Sequence, residues 1–106
     1  MSDKVYTLEE IIKKVSPIAL KYGIERIYLF GSYARGEATA DSDLDFRIDA
    51  PTIKSLFQLG ALYTAFEDAF DKKLDLIMTS SLKYNKDKLF LKNMRKDEKI
   101  VYEASW

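Results

Sequence analysis

The chain has 106 residues, 47% of them apolar, enough for one modest hydrophobic core and too few for an added substrate-binding domain, so residues 1–106 are expected to form a single domain. It contains no cysteine and no histidine, which excludes disulfides, thiolate metal sites, histidine-based triads and most zinc chemistry, and leaves carboxylates to do any acid–base work. Seventeen basic residues balance seventeen acidic ones, and a net charge of zero argues against broad, sequence-independent nucleic-acid binding.

In chain order, Thr7-Leu8-Glu9-Glu10 reads as a capping box, with Thr7 as N-cap and Glu10 reaching back. Leu8, Ile11, Ile12 and Val15 follow at helical spacing and predict an amphipathic helix docked on a sheet. Pro17 either kinks that helix or restarts it, and Gly23 ends it. A buried strand is expected at Arg26–Phe30, followed by the turn Gly31-Ser32, with Tyr33 and Ala34 starting a helix. A polar loop leads to a second strand near Leu44–Ile48. Ala50-Pro51-Thr52 breaks the chain. The segment from Ile53 to Phe70 carries Leu56, Leu59, Tyr63, Phe66 and Phe70 at spacings of three and four, a core-facing helix. A third strand is expected at Leu74–Met78, and from Lys86 onward two helices separated near Lys96-Asp97.

These elements predict an α/β arrangement (α+β in its order), a small mixed sheet with helices packed against it. Between Lys83 and Lys99 seven basic residues face three acidic ones. This run reads as a solvated helix face, with an acidic partner surface or RNA as the alternatives. Of the aromatics in the tail, Tyr84, Phe90, Tyr102 and Trp106, most are expected to pack rather than to stack on bases. No apolar run is long enough to span a bilayer and no charged-then-apolar leader opens the chain, so no membrane association and a cytoplasmic location are expected.

The chemistry concentrates at Gly31-Ser32-Tyr33-Ala34-Arg35-Gly36 and at Ser42-Asp43-Leu44-Asp45-Phe46. A strand delivers Gly31 and Ser32 to the mouth of the sheet, where backbone N–H groups can meet a phosphate. Asp43 and Asp45 share one face because strand side chains alternate, with Leu44 and Phe46 on the other. Two carboxylates at ~5–7 Å repel by ~2–3 kcal/mol at an effective dielectric of ~20. A divalent cation removes that cost, and magnesium takes one or two carboxylates together with substrate phosphates. Asp75, in Lys73-Leu74-Asp75-Leu76-Ile77, would complete a triad able to hold two ions and accept a proton. Each feature has a plain structural alternative. Ser32 could be an ordinary N-cap, Asp43 and Asp45 the wet face of an edge strand, and Asp75 half of an ion pair with Lys72 or Lys73. Asp41 and Asp49 read as solvated loop residues.

Taken together, Gly31-Ser32, ten intervening residues, and Asp43-x-Asp45 resemble the polymerase-β-like nucleotidyltransferases. The Gly-Ser-Tyr-Ala-Arg-Gly run followed by Ser-Asp-Leu-Asp is similar to their minimal group, whose members are commonly the antitoxin partners of HEPN-domain toxins. The resemblance covers nearly the whole chain, including a helical tail ending near Val101-Tyr102-Glu103. It implies the polymerase-β-like fold, ATP as donor substrate and Mg2+ as cofactor, with two ions. It implies that Asp43 and Asp45 bind metal, that Asp75 joins them and assists the attacking hydroxyl, and that Gly31 and Ser32 hold the terminal phosphates. Arg35 would reach a phosphate or a protein partner, and Ser42 lies beside the nucleotide. The function implied is adenylylation of a HEPN RNase toxin, at a tyrosine, within a hetero-oligomer or beside a homo-oligomer. A binding antitoxin without catalysis, and a transferase acting on a small molecule, are the alternatives.

Overall fold

The computed structural model describes residues 5–84 and 86–104. Four strands, β1 (Arg26–Phe30), β2 (Leu44–Asp49), β3 (Leu74–Met78) and β4 (Lys99–Glu103), form one mixed sheet in the order β3-β2-β1-β4. β1 is antiparallel to both β2 and β4, and β3 is parallel to β2. This is the small mixed sheet with packed helices that the sequence predicts.

The sheet has two unlike faces because its strands alternate. Ile27, Leu29, Leu44, Phe46, Ile48, Leu74 and Leu76 share one face and are buried in the main core. Two helices cover that face. The first, α1 (Leu8–Tyr22), is opened by the expected capping box: the Glu10 N–H donates to Thr7 Oγ1 at 3.1 Å and the Thr7 N–H to Glu10 Oε1 at 3.0 Å. Pro17 sits inside a continuous helix and neither ends nor restarts it. Of the expected core stripe, Ile11 and Val15 are buried, while Leu8 and Ile12 are exposed. A four-residue helix, α2 (Ser32–Arg35), follows β1, and α3 (Leu56–Phe70) lies beside α1.

The spacing reading of α3 needs a correction at its start. Leu62, Phe66 and Phe70 are its buried residues, whereas Leu56 is 87% exposed and Phe57 88%, so the first turn of the helix does not pack into the core. Phe46, Phe66 and Phe70 cluster at the centre of the core, the first pair stacked with centroids 5.2 Å apart.

The opposite face carries a smaller core of Phe30, Leu82 and Met94, with Ile77 and Leu91 against it. A 3-10 segment, Thr79–Tyr84, and α4 (Lys88–Asp97) supply the cover. The second helix expected in the tail is instead strand β4. Residues Lys99 to Glu103 find unpaired backbone along β1 and complete the ladder there, with a register irregularity between Ile27 and Tyr28. Lys88, Lys92, Arg95 and Lys96 on α4 are exposed, as a solvated face requires. Tyr102 packs against the main core. Trp106 and the side chain of Tyr84 lie outside the described residues.

Candidate active site

Strand pairing brings the predicted carboxylates together on the less covered face. Asp45 on β2 is the direct cross-strand partner of Asp75 on β3, and Phe30, the residue before the glycine turn, is its partner on the other side. Adjacent strands lie ~4.8 Å apart, so the two acids are immediate neighbours. Asp43 stands just before β2, exposed, while Asp45 is half-buried and Asp75 exposed. Among the described residues no three acidic side chains form a ready-made metal cage.

The electrostatics single out Asp45. Burial first, then the charges of Asp75 and Asp43, raise its carboxyl to about 6, against a smaller opposing effect of Arg35. Gly31 caps α2 at φ 76° and ψ −155°, a conformation open only to glycine. A Cβ there would lie 2.6 Å from Asp45 Oδ2. The missing side chain is therefore a cradle held open directly beside the half-buried acid. Ser32 is the first residue of α2 and not its N-cap, since Gly31 takes that position, so the ordinary serine-cap alternative fails.

Arg35 is exposed on α2, with Nε 3.5 Å from Glu37 Oε1 and Nη1 3.6 Å from Asp97 Oδ2. Ser42 is used locally: its Oγ accepts the Thr39 N–H at 2.9 Å and closes the loop before β2. The buried Lys72 steadies the same loop by donating to the Ala40 carbonyl at 2.7 Å. It does not pair with Asp75. Asp41 is exposed, as expected, but Asp49 is no solvated loop residue. It ends β2 half-buried, accepts a hydrogen bond from the Thr79 hydroxyl and lies 3.6 Å from Arg47 Nη1.

Two residues beside these acids escaped sequence reading. Tyr63 of α3, expected only as a core aromatic, places its hydroxyl 3.4 Å from Asp75 Oδ1 and accepts the Leu76 N–H at 3.1 Å. Burial raises its phenol above the usual value. The other is Arg47, whose guanidinium grips Glu98 at 2.9 and 3.2 Å. A cavity of about 810 Å³, lined in part by Ala50, Ile53, Leu59 and Met78, lies at the far end of the sheet from the carboxylates. Asp43 and Asp75 are exposed, away from that cavity.

A half-buried acid crowded by two others thus stands beside a glycine turn. The family model "Polymerase beta, Nucleotidyltransferase" matches residues 13–105. The chain belongs to this family and is a nucleotidyltransferase. Protein adenylyltransferase MntA of Thermococcus cleftensis is 40% identical over 81 residues, covering 73% of this chain and 82% of that protein. Among solved structures, a toxin–antitoxin complex with AMP-PNP superposes with a TM-score of 0.68 at 21% identity, over 89% of this chain and 74% of that one. A complex of a tri-AMPylated Shewanella oneidensis HEPN toxin with an MNT antitoxin gives 0.58 at 22% identity, over 92% and 70%. Those two likenesses establish the shared fold.

Proposed function

We propose that this chain is the antitoxin of a HEPN toxin–antitoxin pair and a protein adenylyltransferase, moving AMP from ATP onto a toxin hydroxyl, a tyrosine by the family resemblance. The observation that carries the reading is the register of Asp45 against Asp75 beside the open Gly31 turn. The adenylyltransferase relative and the AMPylated toxin of the structural neighbour supply the acceptor class.

In this reading the acceptor oxygen attacks the α-phosphate of ATP, its proton passes to Asp75, and the bond to the β-phosphate breaks to release pyrophosphate. Gly31 and Ser32 present backbone N–H groups to the terminal phosphates, and Ser42 shapes the loop beside them. Among the described residues Arg35 opposes the raised affinity of Asp45 for its proton and lies near Asp97; in this reading it turns from Asp97 to phosphate when the donor arrives.

The donor set is one that suits Mg2+: hard carboxylate oxygens, too few to enclose an ion alone and able to share it with phosphates. Asp43, Asp45 and Asp75 would hold it, two ions if the resemblance extends that far. When bound, it supplies neutralisation of the charge growing on the α-phosphate and the leaving pyrophosphate. A reaction drawing on ATP as donor would run in the cytoplasm. Among the described residues no helix is long and apolar enough to cross a membrane.

Co-expression with the partner toxin tests the reading. Wild type should rescue growth and add one or more AMP masses to the toxin. Asp43→Asn with Asp45→Asn should fold, associate with the toxin and add nothing, a loss of at least ~10³-fold in transfer. Full rescue by that double variant with no mass change would replace the transferase with a binding antitoxin.

A further inference from the structure

We infer that Tyr63 is a positioning residue that holds Asp75 in its working orientation. The inference rests on the transferase reading of the carboxylates. β3 is an edge strand, so one row of its backbone groups has no strand partner. Leu76 N–H belongs to that row, and it donates to the Tyr63 hydroxyl oxygen at 3.1 Å. With that oxygen engaged, the hydroxyl proton is left to be donated to Asp75 Oδ1, 3.4 Å away.

The anchor is stiff where the acid is not. Tyr63 is half-buried on α3 and packs against the main core, one residue from the fully buried Leu62 and three from Phe66. Asp75 is exposed, with free choice among its rotamers unless something holds it. The hydroxyl engages Oδ1 alone and leaves Oδ2 for an incoming proton or ion. A tyrosine that merely covered the strand edge would need the Leu76 contact and no more.

The test compares wild type, Tyr63→Phe, Asp75→Asn and the double variant, each co-purified with the toxin. Two readouts are taken: Mn2+ affinity in the presence of a non-hydrolysable ATP analogue, and kcat and KM for ATP in AMP transfer. Residues that orient metal ligands typically carry 10–100-fold effects. Tyr63→Phe should lower kcat about tenfold and weaken Mn2+ several-fold with KM for ATP unchanged. Added to Asp75→Asn it should change neither quantity further, because its route of action is already gone.

A folded Tyr63→Phe with wild-type kcat and Mn2+ affinity overturns the inference, as does an equal extra loss in the Asp75→Asn background. If Tyr63→Phe does not fold, 4-aminophenylalanine at position 63 keeps the ring and a donor: retained kcat supports the positioning role and lost kcat overturns it. A wild type that neither binds Mn2+ nor transfers AMP overturns the transferase reading and this inference together. A wild type that does both isolates the failure to Tyr63.

Discussion

Asp45, Arg47 and Asp49 lie on one face of the same strand, yet the two ends of that row are built on opposite principles. At the Arg47 end every charge is answered. The guanidinium makes two bonds to Glu98 and one to Thr79 at 3.0 Å, sits 3.8 Å over the Tyr28 ring, and is 9% exposed. At the Asp45 end Asp75 and Asp43 crowd the Asp45 carboxyl, and among the described residues Arg35 opposes them. A fold selected for stability alone would treat both ends alike. In the proposed reading a charged ligand completes the unanswered end, while the answered end fastens β2 to the junction of α4 and β4.

The comparison can be broken at its answered end first. Arg47→Met strands Glu98 and Asp49 partly buried without a counter-charge, and should cost about 3 kcal/mol in urea denaturation. A loss below ~1 kcal/mol would show the network to be ordinary solvated surface. At the other end, Gly31→Ala should cost about 2 kcal/mol, from a backbone conformation that alanine avoids, and should also push the Asp45 carboxylate aside. Gly36→Ala is the control. Its φ is 74° but nothing stands within 4 Å, so it should lose stability while retaining AMP transfer.

The smallest effect has the opposite sign. Asp45→Asn removes a charge the free protein resists holding, and should stabilise it by about 1 kcal/mol at pH 7, solvent screening having reduced the full electrostatic cost. The pH dependence follows from the raised carboxyl, about 6 in the fold against 3.8 as the ordinary value. The folded protein binds this proton more tightly than the unfolded chain, so the contribution of Asp45 to stability is full below pH ~4 and is lost as pH rises through ~6. Denaturation midpoints of wild type and Asp45→Asn should therefore converge on acidification. Curves that stay parallel from pH 4 to 7 would mean that Asp45 is not crowded.

Much of this was legible in the sequence because it is local. The capping box at Thr7, the glycine turn after β1 and the two-residue spacing of Asp43 and Asp45 are written in neighbouring residues. What escaped depends on residues far apart. Lys99 to Glu103 continues a basic, helix-like tail when read alone, and becomes a strand only because β1 offers it an unfilled edge. Arg47 and Glu98 are 51 positions apart, so neither announces the other. Tyr63 falls on the expected stripe of its helix. Periodicity reports that its ring is packed and says nothing of where its hydroxyl goes. The same blindness extended the core stripe into Leu56, which is exposed.

β1 stands inside the sheet between the strand made next and the strand made last. During synthesis β2 can pair with it early, but its other side keeps open N–H and C=O groups until β4 has left the ribosome. Any chain cut short after β3 therefore presents a bare inner edge, a surface that protein quality control and aggregation both read as unfinished.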